Sequence, residues 1–181
     1  SEENYIKAIY ALSEETGKEI STNDLAEKMA TKASSVTDML KKLTDKDLLK
    51  YKKYQGCTLT KNGREIALAI VRKHRLWEVF LVEKLQFGWD EVHAIAEQLE
   101  HIQSNQLTNK LEAFLGFPKV DPHGDPIPNI NGEFDPSPKR VLLSKCEKGN
   151  KGIVMGVEDG EPSFLQYLNK IGFKLGLNIK V

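Results

Sequence analysis

The chain has 181 residues, 40% hydrophobic and 29% charged, which is enough apolar material for a real core and excludes a disordered tail. Its 26 basic groups cancel its 26 acidic ones, so net charge excludes no class of partner. Its distribution says more: residues 1–75 carry 15 Lys and Arg against 11 Asp and Glu, residues 76–138 carry 3 against 11, and residues 139–181 carry 8 against 4. Segments with net charges of +4, −8 and +4 are expected to do different work.

The chain opens with a helix over residues 3–12, where Tyr5, Ile6, Ile9, Tyr10 and Leu12 recur at helical spacing. Ser21, with Asp24 three residues on, caps a short helix carrying Leu25, Ala26 and Met29. After a break at residues 30–32, Val36, Met39, Leu40 and Leu43 mark a second short helix over 33–46, giving a helix-turn-helix. Residues 48–54 and 57–60 read as the strands of a β-hairpin turning at Gln55-Gly56, which completes a winged helix. Thr60 then caps a long helix over residues 62–85, followed by helices over 89–104 and 105–115. Six of the seven prolines fall within residues 117–138 and exclude regular structure there. Strands are expected at 140–144, 152–157 and 177–181, with a helix over 162–170. This β module stops in a strand and is expected to be incomplete, and a chain opening on Ser1 rather than Met is expected to lack an initiator or short leader. Cys57 and Cys146 lack C-x-x-C spacing, which points to a reducing compartment. Without a membrane-length apolar run or a signal-peptide pattern, a cytoplasmic protein with no membrane partner is expected.

Between Lys32 and Lys53 seven lysines face three acids, on the second helix of the helix-turn-helix and its wing. Such a local field suits phosphate, and Ser34, Ser35 and Thr37 at the helix start suit phosphates and base edges. Lys32, Lys41 and Lys42 are expected at the backbone, Asp38 at a cytosine amino group, and Tyr54 and Gln55 at the backbone or minor groove from the wing tip. The plain alternative is a solvated lysine face, which the winged-helix context disfavours.

The helix around VHAIAEQLEH places His93, Glu97, Glu100 and His101 within about 100° of one another at about 100° per residue, with Val92, Ile95, Leu99 and Ile102 opposite. One helix rarely fills a coordination sphere, and His74 with Glu78 one turn apart, or Asp121 with His123 in the proline-rich turn, are the available complements. Carboxylate and imidazole without thiolate point to Mn²⁺ or Fe²⁺, with Zn²⁺ and Co²⁺ able to compete. The alternative is a solvated face with an incidental histidine. The absence of H-E-x-x-H removes the zinc-protease pattern.

Taken together, ENYIKAIYALSEE, ASSVTDMLKKL, GCTLTKNGREIA, RKHRLWEVFL, VHAIAEQLEH and PHGDPIP resemble the diphtheria-toxin-repressor family, and within it the manganese-sensing branch. The resemblance covers essentially the whole chain. It implies a mainly α fold divided into a winged helix-turn-helix at 1–70, a helical metal-binding and dimerisation domain with its Pro-rich loop at 71–138, and a partial SH3-like module at 139–181. It implies a primary metal set of Asn4, Glu97, Glu100 and His101. Iron sensors resemble this chain with cysteine in place of Glu97, and manganese sensors usually carry aspartate where Asn4 stands. Lys7 replaces a second carboxylate of some members. The implied ancillary set is His74, Glu78 and His93 in some members, and in others Glu78 with Asp121, His123 and an acid from the C-terminal module, Asp159 first and Glu158 second.

The function implied is a homodimeric repressor, activated by Mn²⁺ or Fe²⁺, that binds a palindromic double-stranded operator and controls metal-ion homeostasis. Apolar groups between residues 89 and 117, including Leu111, Phe114 and Leu115, are expected either as the dimer surface or equally as an internal core. The rivals are a winged-helix regulator of an organic ligand, with the metal structural, and a metallohydrolase using the Glu and His cluster. The second leaves the lysine-rich wing without a role.

Overall fold

The computed structural model describes residues 1–136 and 138–181, so Ser137 of the proline-rich stretch lies outside the described residues. The chain is mainly helical, with two small two-stranded sheets. It divides into two compact units, Ser1–Val71 and Arg72–Val181.

In the first unit, α1 (Glu2–Thr16) starts at Ser1, whose hydroxyl accepts from the Asn4 amide, and ends at Gly17 in the left-handed region at φ 64°. Its stripe of Tyr5, Ile6 and Ile9 is buried. Ser21 caps α2 (Thr22–Lys28) as expected, accepting from the Asp24 amide at 3.1 Å. Ala30, at φ 48°, turns the chain into α3 (Ala33–Asp45), where Val36, Leu40 and Leu43 are fully buried at positions four and three apart. The wing pairs β1 (Leu49–Lys52) antiparallel with β2 (Gly56–Leu59), in register from Leu49 opposite Leu59 to Lys52 opposite Gly56. Its tip is therefore Lys53, Tyr54 and Gln55 rather than Gln55-Gly56. Tyr54 takes the left-handed turn position at φ 67°, and Gly56 belongs to the strand, where a Cβ would fall 2.8 Å from the Ile20 carbonyl oxygen. Ile20 also exchanges backbone hydrogen bonds with Cys57 at 3.0 and 2.9 Å, bracing the wing on the core. Burial pushes the Cys57 thiol up to about 12, so it packs as an inert apolar group.

The Thr60 hydroxyl accepts from the Gly63 amide at 3.1 Å and donates to the Asp47 carbonyl at 2.8 Å, starting α4 (Lys61–Leu85) against the base of the wing. Only glycine fits at position 63, where a Cβ would lie 1.9 Å from the Leu48 carbonyl oxygen.

The second unit packs the later turns of α4 with α5 (Val92–Leu99) and α6 (Asn105–Phe114). Leu76, Val79, Leu111 and Ile127 form a core flanked by Trp77, Phe80 and Leu115. Leu111 is buried and Leu115 partly buried in this packing, the internal-core alternative for both, while Phe114 stays 65% exposed. The helix expected over 89–104 is shorter, because Glu100 caps α5 and Ser104 is extended at φ −143° to cap α6. His101 therefore lies beyond the helix, and the helical-face argument does not apply to it.

After the proline-rich loop come β3 (Lys151–Ile153), α7 (Pro162–Lys170) and β4 (Asn178–Lys180). β3 and β4 pair antiparallel, and the strand expected at 140–144 is instead irregular, ending in a 3-10 turn at Leu143–Lys145. Apolar alternation there lacked a partner strand: among the described residues, β3 and β4 pair only with each other. No helix among the described residues is long and apolar enough to cross a membrane.

Candidate metal centre and nucleic-acid interface

In the first unit, Lys32, Ser34, Ser35, Asp38, Lys41 and Lys42 are exposed on or beside α3, and Thr37 is half-buried. No side chain caps this helix, so its first amides remain available to an anion. Thr37 spends its hydroxyl on the Ala33 carbonyl at 2.9 Å, Lys41 lies 3.7 Å from Asp38, and Lys42 and Lys46 grip Glu2 at 2.9 and 2.7 Å. Those two lysines hold the Glu2 carboxyl below its ordinary range. At the wing tip Tyr54 is 93% exposed, with the Lys53 ammonium 5.0 Å above its ring, and Gln55 is exposed beside it.

In the second unit, Glu78 is the hub. It is 2% exposed, and its two oxygens face different partners. Oε1 lies 3.0 Å from His74 Nε2 and 3.4 Å from His93 Nδ1, while Oε2 lies 3.7 Å from His123 Nδ1. Two donor groups result, His74 with Glu78 and His93, and Glu78 with Asp121 and His123, each with its ligand atoms within 4.8 Å of one another. Burial pushes the Glu78 carboxyl up, but hydrogen bonds from His123, His74 and His93 outweigh it and hold it well below the usual carboxylate range. Asp121 goes the other way: burial, then the charges of Glu78 and Asp125, raise it to about 7. For His123, burial opposes the proton, yet the hydrogen bond and charge of Glu78 raise it to about 9.

Asp121 Oδ1 accepts from the His123 and Asp125 amides at 2.8 and 2.9 Å, which shapes the turn. His74 Nδ1 meets Glu100 Oε2 at 2.5 Å while Nε2 faces Glu78 Oε1, so the ring sits between two buried carboxylates. Glu97 is exposed with Oε1 3.5 Å from His93 Nε2, and His101 is half-buried just past α5. In the first unit, Asn4 Oδ1 accepts from the Ser1 hydroxyl at 2.6 Å. Asp159 is exposed, accepts from the Glu161 amide at 2.9 Å, and joins neither donor group; Glu158 is exposed too. Carboxylate and imidazole donors without sulfur fit a hard to borderline divalent ion such as Mn²⁺ or Fe²⁺. Two residues were missed in the sequence: Arg75, which lies 3.8 Å from Asp121 and donates to the Pro126 carbonyl, and Trp89, whose carbonyl accepts from His123 Nε2 at 2.8 Å. A cation following His74 was the only available hint for Arg75, and a backbone carbonyl leaves no mark in a sequence.

Residues 1–57 match the N-terminal DNA-binding domain of iron-dependent repressors, and residues 60–129 match their metal-binding and dimerisation domain. The HTH-type transcriptional regulator MntR of Geobacillus kaustophilus is 33% identical over 140 residues, covering 69% of this chain and 97% of the regulator. The chain belongs to the iron-dependent, diphtheria-toxin-repressor family. Another member of the family, the iron-dependent repressor IdeR of Mycobacterium tuberculosis, is 34% identical over 128 residues, or 71% of this chain and 55% of the repressor. The chain thus spans about half the length of such curated relatives. Among solved structures, a manganese-dependent transcriptional repressor in complex with manganese is 40% identical with a TM-score of 0.88, over 100% of this chain and 83% of that one. These family members are named as transcriptional repressors and regulators.

Proposed function

We propose that this chain is a metal-dependent transcriptional repressor that controls metal-ion homeostasis in the cytoplasm. Its effector is Mn²⁺ or Fe²⁺, with Zn²⁺ or Co²⁺ able to substitute in vitro. The observation that carries this reading is the convergence of Glu78, His74, His93, Asp121 and His123 in a chain whose first domain exposes an uncapped, lysine-flanked α3. The division at 1–70, 71–138 and 139–181 is part of the proposal, supported by the extents of the two family matches. So is the primary ligand set of Glu97, Glu100 and His101, to which the family resemblance adds Asn4.

The partner is double-stranded operator DNA, bound by a homodimer. Two copies of α3 and the wing enter successive major grooves, so operator symmetry mirrors protein symmetry. Leu107, Phe114 and Phe117, exposed on and after α6, are the dimer surface that remains once Leu111 and Leu115 are assigned to the core. When bound, the cation supplies positive charge that draws the buried carboxylates and imidazoles into one arrangement. If that arrangement is the one that binds DNA, metal and operator each tighten the binding of the other. Genomic fragments selected by chelator-treated protein at one fixed salt concentration test this. A few palindromic sites recovered only with added Mn²⁺ establish the repressor, and equal recovery without metal overturns it.

A further inference from the structure

His123 is held from outside its own turn. Nε2 donates to the Trp89 carbonyl at 2.8 Å, which leaves Nδ1 as the nitrogen facing Glu78. The Trp89 ring stacks on the imidazole, with centroids 6.1 Å apart and planes 8° apart. Trp89 precedes α5 in a segment that no helix orders, so its position depends on what grips it. That grip comes from α7: the indole N–H donates to Asn169 Oδ1 at 3.0 Å, and Gln166 donates to the neighbouring Asp90 at 3.1 Å. The His123 turn is tied to the same C-terminal part of the chain through Val157 N to His123 O at 3.0 Å and Arg140 to Gly124 O at 2.7 Å. Gly124 permits this approach, because a Cβ there would fall 2.2 Å from the Met155 carbonyl oxygen.

We propose that Asn169 is a positioning residue which, through Trp89, holds His123 in the orientation that binds a divalent cation, so that the C-terminal module sets the affinity of the Glu78, Asp121 and His123 group. The inference rests on reading that group as a metal site. A carbonyl acceptor fixes where the ring lies, and a stacked indole restricts its swivel. Neither is secure unless the indole is itself anchored.

The test uses the full chain, stripped by chelator and titrated with MnCl₂. In a Trp77→Phe background Trp89 is the sole indole, and its fluorescence reports on the stacked imidazole. Mn²⁺ is expected to quench it, with the affinity that calorimetry gives for the His123-dependent equivalent. Asn169→Ala should weaken that equivalent about tenfold, the lower end of the effect of losing an outer-shell partner. Asn169→Asp, which keeps an acceptor for the indole, should restore it. Followed by calorimetry, Trp89→Phe with Asn169→Ala should weaken it no more than either change alone. Asn169 is exposed, so its variants retain the fold. Unchanged affinity in Asn169→Ala, while His123→Ala abolishes the equivalent, overturns the inference and leaves the metal site standing. If His123→Ala changes nothing, the metal reading of this turn fails and the inference falls with it.

Discussion

Buried among three imidazoles, the Glu78 carboxylate shows how a charge survives at 2% exposure: each oxygen faces histidine nitrogens, and their hydrogen bonds outweigh desolvation. The consequence for stability has a sign. His123 is raised from 6.5 to about 9, so its contribution is complete below pH 6.5 and is lost as pH rises through about 9. Asp121, raised from 3.8 to about 7, adds a penalty that is absent below 3.8, builds as pH rises and is complete above about 7, and the Glu78 contribution is lost only on acidification below 4.5. Chelator-treated protein should therefore show a melting temperature that falls between pH 7 and pH 9, and His123→Gln should flatten the fall. A level profile in the parent protein would show that His123 is not held protonated. Cation binding works against the same protons, so Mn²⁺ affinity should rise over this window.

At the scale of elements, one helix pairing and one exposed helix carry separate jobs. α6 is pinned to α4 by Arg72 Nη2, which reaches Glu112 Oε2 at 2.6 Å and Asn109 Oδ1 at 3.0 Å, with the Arg72 side chain 8% exposed. Among the described residues Arg72 Nε already lacks a hydrogen-bond partner, so losing the carboxylate strands a buried cation. Glu112→Ala should cost about 3 kcal/mol in urea unfolding, near the low end for a broken buried pair because Glu112 is 16% exposed. A cost under about 1 kcal/mol would mean the guanidinium finds water instead. On α3, the proposed phosphate-facing role rests on exposed charge such as that of Lys41. Lys41→Ala should weaken operator binding similarly across sequences and lower the slope of log K against log salt by about 1. Altered sequence preference at constant slope would assign Lys41 to base reading instead.

For the molecule as a whole, both three-donor groups fall within Arg72–Val181, and residues 1–57, which match the DNA-binding domain, fall within Ser1–Val71. Binding to the folded state alone stabilises by mass action, about 2.7 kcal/mol at a hundredfold excess over Kd. Mn²⁺ should accordingly raise the melting temperature by roughly 5–10 °C for a chain of this size. Amide exchange should slow most around His74, Glu78 and residues 121–124. Equal slowing in the wing would instead indicate a general salt effect.

Sequence alone determined the winged helix, because its signals are local: Ser21 and Thr60 as caps, buried residues three and four apart on α3, and a hairpin joined by a short turn. It also supplied every donor of the two three-donor groups, since few residue types ligate a hard cation. Tertiary structure alone decided that Glu78 faces both groups, one oxygen to each, and that Glu100 meets His74. Those contacts join residues far apart in the chain, and their spacing is set by packing between elements. The same reason explains the misread strand at 140–144 and the misplaced wing tip. Apolar alternation records a tendency to pair, whereas the partner and the register belong to the fold.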